Sequence, residues 1–330
     1  MSFVQVTIHE SQFPGSVRAD LLESLRSRQI NHKFHYDSVK QTQKWLELHQ
    51  AYSPSRTDPD CEATYARAFE AVGGRSGKFT TLLGLGCGGG QKDTRLLKLL
   101  RQAGANVSYV PCDVSLAMVL IARETALGML PGLPCHPLVC DLARADDLPD
   151  TLANLGIPAE GRLVTFFGML PNFEPDVILP RLARLVGSGD RLLLSANLAP
   201  GPNYGEGVRK ILPFYDNSLT REWLMMFLTD IGIDKADGEL TFGIEDRPGG
   251  LGLKRIVASF RFSRSTLISV GQEEFRFGPG EVVRLFFSYR HTPEIVRGLV
   301  NSVGLRVVEE WVTRSGEEGV FLVERPRTGG

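Results

Sequence analysis

At 330 residues, the chain exceeds the usual single-domain length, so one large α/β domain with an insertion, or two domains, is expected. Its 37 basic and 38 acidic residues nearly cancel and 42% of it is hydrophobic. That balance disfavours nucleic acid or a membrane surface as the main partner and favours a small molecule.

The N-terminal stretch MSFVQVTIHESQFPGS lacks the basic start and apolar run of a secretory signal. No run of about eighteen apolar residues suggests a spanning helix, so a cytoplasmic location is expected. Five cysteines, none in a CxxC pair, are expected as reduced packing residues. His32, His35 and His49 have no acidic or thiolate partner at a recognised ligand spacing, so no metal is expected.

In residues 16–30, Val17, Leu21, Leu22 and Leu25 fall on one helical face behind a serine cap. A second helix is expected from Ser38 to about Tyr52, before the two prolines of SPSRTDPD break the pattern. From residue 60 the rhythm becomes strand, glycine turn, helix, strand. FTTLLGLG reads as a buried strand, KDTRLLKLLRQAG as an amphipathic helix, VSYVPCDVS as a strand and LAMVLIARETALG as a helix. LVCDLA, RLVTFFGML and DRLLLSANL continue the strands, the last two separated by the helix DVILPRLARLVGSG. That alternation predicts parallel strands with right-handed crossovers.

After APGPNYGEG the pattern shifts. Residues 219–232 read as helix, and LKRIVASFRFSRSTLISV and EVVRLFFSYR as long antiparallel strands of an inserted lid or substrate wall. The C-terminal stretch returns to helix, strand, hairpin and strand, which could complete the first sheet.

Gly84, Gly86, Gly88, Gly89 and Gly90 follow a strand closely enough for a ligand to approach the backbone. Dinucleotide, S-adenosylmethionine and a turn that binds nothing are all open for such a stretch. The absence of GxxxxGK[ST] disfavours a P-loop, because Lys92 is followed by Asp93. Glycines out of GxGxxG register disfavour a pyrophosphate, whereas S-adenosylmethionine has no phosphate to place. Asp113, at the end of the second strand, can accept the hydroxyl protons of a ribose. Asp141, ending the third, can accept an adenine amine proton.

The segments FHYD (34–37), AYSPSRTD (51–58), LGCGGGQKDTRLL (85–97), YVPCDVS (109–115), FFGMLPNFEP (166–175), FYDN (214–217) and VVRLFFSYR (282–290) occur in one order. In that order they resemble the histidine Nα-methyltransferases of ergothioneine biosynthesis. They are also similar to fungal indole-alkaloid N-methyltransferases of specialised metabolism. The resemblance implies an α/β fold, a class I (Rossmann-like) methyltransferase doubly wound sheet with a second α+β substrate-binding domain. It divides the chain into 60–200 plus 290–330, binding S-adenosylmethionine, and 1–59 plus 201–289, binding the substrate.

By the same resemblance Tyr52, Asn172 and Tyr215 are the candidate catalytic residues, holding the amino and carboxylate groups of an amino acid. Tyr36, Phe286 and Ser288 join them as substrate-binding candidates. Gly86, Gly88, Lys92, Asp113, Asp141, Phe167 and Gly168 are the cofactor-binding candidates. A tyrosine or bound water near Tyr52 is the expected proton acceptor. The expected partner is an amino-acid-like small molecule, with S-adenosylhomocysteine as second product and the chain a monomer or homodimer.

Two departures from the family pattern carry information. Phe286 stands where the histidine enzymes place a glutamate against the imidazole, although Ser288 is retained. Phenylalanine accepts no hydrogen bond, so histidine would forfeit about 1–3 kcal/mol and an apolar or aromatic side chain fits better. Gly84 replaces the acid that usually ends the first strand, and GMLPN is one residue short. Methylation of another small metabolite, for instance at the sulfur of methionine, and non-catalytic cofactor binding are the alternative readings.

Overall fold

The computed structural model describes residues 3–74, 80–250 and 252–326. The N-terminal part holds β1 (Thr7–Ile8), α1 (Pro14–Ser27), α2 (Val39–Tyr52), α3 (Pro54–Thr57) and α4 (Pro59–Gly73). Next come β2 (Thr81–Leu85), α5 (Gln91–Gln102), β3 (Ser108–Asp113), α6 (Leu116–Met129), β4 (Leu138–Val139) and α7 (Leu148–Asn154). β5 (Arg162–Phe166), α8 (Pro175–Leu185) and β6 (Arg191–Asn197) complete that alternation. There follow α9 (Tyr204–Tyr215), α10 (Ser218–Asp230), β7 (Gly238–Asp246), β8 (Lys254–Phe262), β9 (Thr266–Val270), β10 (Glu273–Phe277) and β11 (Val282–Arg290). α11 (Pro293–Asn301), β12 (Arg306–Val312) and β13 (Glu318–Glu324) end the chain.

Two compact units result. One comprises the N-terminal residues to Gln12, Asp58–Leu198 and the chain from His291; the other comprises Phe13–Thr57 and Ala199–Arg290. The N-terminal dozen goes with the sheet rather than with the helices that follow, because β1 pairs in parallel with β4.

The first unit is an eight-stranded sheet in the order β1-β4-β3-β2-β5-β6-β13-β12. β13 runs antiparallel to both β6 and β12, and the other pairings are parallel. Every residue of β2 and β5 is buried, as expected for central parallel strands covered on both faces. Leu82, Leu96, Leu97, Leu100, Tyr109 and Leu163 belong to one core cluster with Phe69 of α4. This is the parallel arrangement that the alternation predicts, in the doubly wound class I (Rossmann-like) form that the resemblance implies, closed by the C-terminal hairpin. α4 is a helix that the sequence reading passes over, because its apolar positions run straight into the glycines before β2. Phe79, expected in the first strand, lies outside the described residues.

The second unit carries the antiparallel sheet β11-β8-β7 and the ribbon β10-β9. The stretch read as one strand over 253–270 is two, β8 and β9, separated at Ser263–Ser265. Phe260, Phe262 and Ile268 pack with Leu25, Phe34, Trp223 and Phe227 in its core. β11 is the edge of its sheet, and the chain around Arg28–His35 covers it: Arg284 N donates to Arg28 O (2.9 Å) and Ile30 N to Arg284 O (2.8 Å). A covered edge cannot template pairing with another chain.

Candidate cofactor and substrate sites

Strand order reverses between β2 and β5, so the crevice at their carboxyl ends is where a doubly wound sheet admits a ligand. The glycine turn leaves β2 at this point. Gly86, Gly88 and Gly90 take φ values of 63°, 51° and 73°, a left-handed backbone that a side chain would strain. Gly90 also caps α5, whose first N–H groups are thereby directed at the turn. Across the crevice, Gly168 follows β5 with φ 70° and open space where a Cβ would stand. Its N–H donates to Ser195 Oγ at 2.9 Å, which ties the β5 loop to β6.

Asp113 ends β3, and its carboxylate accepts from Gly88 N (3.1 Å) and Ser115 N (3.0 Å). Burial pushes its pKa up from the usual carboxylate range, while these backbone N–H groups pull it back. A carboxylate has about four lone-pair sites, so two bonds leave room for sugar hydroxyls. Asp141 follows β4; its Oδ1 accepts from Ala143 N (2.9 Å) and its own N–H donates to Ser11 Oγ (3.0 Å). Gln12 Nε2 donates to Val114 O at 2.8 Å, so residues 7–12 border the carboxyl ends of β3 and β4. A cradle of bare glycine backbone and two fixed carboxylates fits S-adenosylmethionine.

Lys92 and Phe167 meet at Tyr65 of α4. Lys92 Nζ donates to Tyr65 Oη at 3.0 Å and lies 4.1 Å from its ring centroid, while the Phe167 ring stands edge-on at 5.5 Å. Tyr65 in turn donates to the buried Glu318 at the start of β13. Tyr65 and Glu318 belong to no motif, and α4 and β13 are too far apart in sequence for spacing to pair them.

Asp93 lies in the first turn of α5, and in the sequence it stands out only as a residue that a P-loop would not have. It is 3% exposed, and its carboxylate accepts from Tyr109 Oη and Thr165 Oγ1, both at 2.8 Å. Burial pushes its pKa up to about 6 against the pull of the Thr165 and Tyr109 hydrogen bonds.

In the second unit, β11 carries an extra residue between Arg284 and Phe286. From Phe286 onward, alternate residues share a face, and Phe286, Ser288 and Arg290 are all turned toward Tyr215 of α9. Tyr215 Oη donates to Ser288 Oγ and accepts from Arg290 Nη2, both at 2.8 Å. The Phe286 ring lies 6.2 Å from that of Tyr215, 5.8 Å from Trp223 and 5.0 Å from a nearly parallel His32. Trp223 reaches Tyr36 at 5.5 Å. Tyr36, Tyr215, Phe286 and Ser288 are therefore brought together, with Trp223 and His32, which lie outside the matched motifs, and with Arg290, which ends the VVRLFFSYR motif but is not among the sequence candidates.

Tyr52, the last residue of α2, is half exposed and outside this cluster of rings. Asn172 ends a short 3₁₀ turn, Leu170–Asn172, after β5 in the first unit, and its N–H donates to Met169 O at 2.9 Å.

The histidines serve packing and the β11 edge. His32 Nε2 accepts from Phe287 N (3.2 Å), His35 Nε2 donates to Leu285 O (2.7 Å), and His49 stacks on Trp45 at 4.8 Å. Burial lowers His35 to about 4 and His32 well below its usual range, so both are neutral at pH 7. Among the described residues no group of three His, Cys, Asp or Glu could hold a metal, and no helix is long and apolar enough to cross a membrane.

Two solved structures are similar to the chain in part. Magnesium protoporphyrin IX methyltransferase (ChlM) from Synechocystis PCC 6803 is 14% identical, with a TM-score of 0.44 over 87% of this chain and 95% of its own. The S-adenosylmethionine-dependent methyltransferase SibL is 13% identical, with a TM-score of 0.48 over 96% of this chain and 72% of its own.

In sequence, the N-methyltransferase imqF of Aspergillus flavus is 23% identical over 251 residues, 72% of this chain and 66% of its own length. The histidine N-alpha-methyltransferase of Mycolicibacterium smegmatis is 26% identical over 289 residues, 83% of each chain. The family model described as "Histidine-specific methyltransferase, SAM-dependent" matches residues 17–218, more than half of the chain. The chain belongs to this family and is an S-adenosylmethionine-dependent methyltransferase.

Proposed function

We propose that the protein methylates the α-amino group of an amino acid, or of a small molecule derived from one, whose side chain is apolar or aromatic rather than imidazole. The observation that carries this reading is the setting of Phe286, at the position where, by the resemblance, the histidine enzymes place a glutamate. Here it is 8% exposed among the rings of His32, Tyr215 and Trp223. Such a surface contributes about 25 cal/mol per Å² of apolar area buried but leaves an imidazole N–H without an acceptor. Both curated relatives above are named as N-methyltransferases, which favours nitrogen as the nucleophile.

Bound S-adenosylmethionine supplies a methyl group already activated by its sulfonium, so the protein's task is alignment. Holding a neutral amine in line with that methyl can contribute about 7–11 kcal/mol. In this reading, Asn172 after β5 and Tyr52 at the end of α2 orient the amino group, with the Tyr52 hydroxyl or a bound water accepting the hydrogen bond along which its proton leaves for solvent. Tyr215 faces the substrate's polar end with Ser288 and Arg290 behind it. Asp113 and Asp141 hold the nucleoside, Gly86, Gly88 and Gly168 admit the cofactor backbone to backbone, and Lys92 and Phe167 form the wall on Tyr65.

A panel of the twenty amino acids, tryptamine and histamine with S-adenosylmethionine, read by product mass, tests the assignment. Methylated phenylalanine, tryptophan, leucine or a relative of these is expected, with histidine at least about tenfold slower, one factor of 1.4 kcal/mol. Histidine as the best substrate would refute the side-chain assignment, and a panel with no methylated amine would refute the reading as a whole.

A further inference from the structure

Gly84 is the point at which this chain departs from its family in the cofactor turn, and the volume above it is filled. A Cβ built on Gly84 would overlap Asp93 Oδ2, and would stand 3.1 Å from Asp93 Cγ and 3.3 Å from Tyr109 Cε2. Gly84 is flanked in the sheet by Pro111 of β3 and Thr165 of β5. The Asp93 carboxylate thus lies over β2 and is bonded to a hydroxyl from the strand on either side, Tyr109 of β3 and Thr165 of β5.

We propose that Asp93 is the positioning carboxylate of the cofactor turn, reaching from α5 into the volume a strand-end acid at position 84 would fill, and that Gly84 is glycine in order to admit it. Asp93 is the third residue of α5, and Gly90, the cap of that helix, is the last residue of the turn. Fixing Asp93 across β3 and β5 therefore fixes the glycine backbone that immediately precedes it. A negative charge also suits the first turn of a helix and the ammonium at the amino-acid end of S-adenosylmethionine. Only the ionised form can accept from both hydroxyls; a protonated carboxyl must give up one acceptor or turn a donor toward them. The other charged or titratable groups that face it are Lys92 of its own helix, which favours ionisation, and the Cys87 thiol of the turn.

Calorimetric titration with S-adenosylhomocysteine reads this role without turnover. The wild-type protein should bind about tenfold more weakly at about pH 5 than at about pH 7.5, with a midpoint near 6. Asp93→Asn, of the same shape, should bind weakly and without that pH dependence. Gly84→Asp alone should lose binding, and Gly84→Asp with Asp93→Gly should recover most of it, since the carboxylate then returns to the same volume from the strand. Wild-type affinity in Asp93→Asn at pH 7.5, an unchanged pH profile in that variant, or a double variant no better than Gly84→Asp would each overturn the proposal.

Discussion

Tyr215 Oη bridges Ser288 Oγ and Arg290 Nη2, each at 2.8 Å, so one phenol from α9 fixes two successive inward residues of β11. Arg290 is 7% exposed, and its guanidinium also lies 5.4 Å from the Tyr215 ring centroid. A buried cation held in this way presents a fixed positive charge beside the aromatic wall, as an anionic substrate group requires.

Tyr215→Phe keeps the ring and removes the bridge. A buried polar group left unpaired costs about 1–3 kcal/mol, so the expected result is a melting temperature lowered by a few degrees. KM for the amino acid should rise about tenfold or more with S-adenosylhomocysteine affinity unchanged. Steady-state kinetics with calorimetry separates the two, and an unaltered KM would exclude Tyr215 from substrate binding.

Phe286→Glu places a carboxylate next to His32 and opposite the substrate side chain. Histidine methylation should rise relative to the preferred aromatic or apolar substrate by about tenfold or more, because an acceptor for the imidazole is restored. Burying that charge among rings costs several kcal/mol, so the variant should also melt earlier. Competition between histidine and the preferred amino acid, read by mass, gives the ratio directly.

Asn172→Ala should lower kcat strongly, by about a hundredfold, while cofactor affinity changes little, as expected when a residue orients the nucleophile and does not hold the donor. Turnover within twofold of wild type would remove Asn172 from the reaction.

His35 and Asp93 contribute to acid stability in opposite senses. His35, held near 4 by burial, takes up a proton in the unfolded chain before it does in the folded one. Its contribution is present above about pH 6.5 and is lost as pH falls toward 4, about 3 kcal/mol in all. Asp93, raised to about 6, acts in the reverse sense: the folded state binds its proton more tightly, so its ionisation costs stability as pH rises from about 4 to 6. Asp93→Asn should therefore melt no lower than wild type at pH 7.5, and His35→Gln should flatten the loss of stability between pH 6.5 and 4. Thermal melts across that range check both slopes.

The alternation of strand and helix from Thr81 to Asn197 is legible, apart from the short α7 that the sequence reading passes over, because buried parallel strands are continuous apolar runs and the helices between them end in glycine. α4 and α9 are not, since Pro59 and Pro213 and the adjoining glycines read as loop. The aromatic wall is half legible: Tyr36, Tyr215, Phe286 and Ser288 lie in recognisable motifs, but Trp223 and His32 join them only through the folded arrangement of α10 and the β11 edge. Asp93 escapes a linear reading altogether. The pattern records an acid missing at position 84, and only the sheet reveals that a carboxylate nine positions later lies over that site.

The bulge in β11 holds one residue of slack beside the aromatic wall. Arg284 and Phe287, three residues apart, share a face and lie within 5.3 Å because one unpaired residue intervenes. Excising that residue would leave Arg284 opposite Ser259 and Phe286 opposite Ala258, so Phe286, Ser288 and Arg290 would keep their face. A residue inserted further along the strand would instead turn every residue beyond it to the opposite face. The strand can therefore lose one residue at this point, but gain none beyond it, without rewriting the wall.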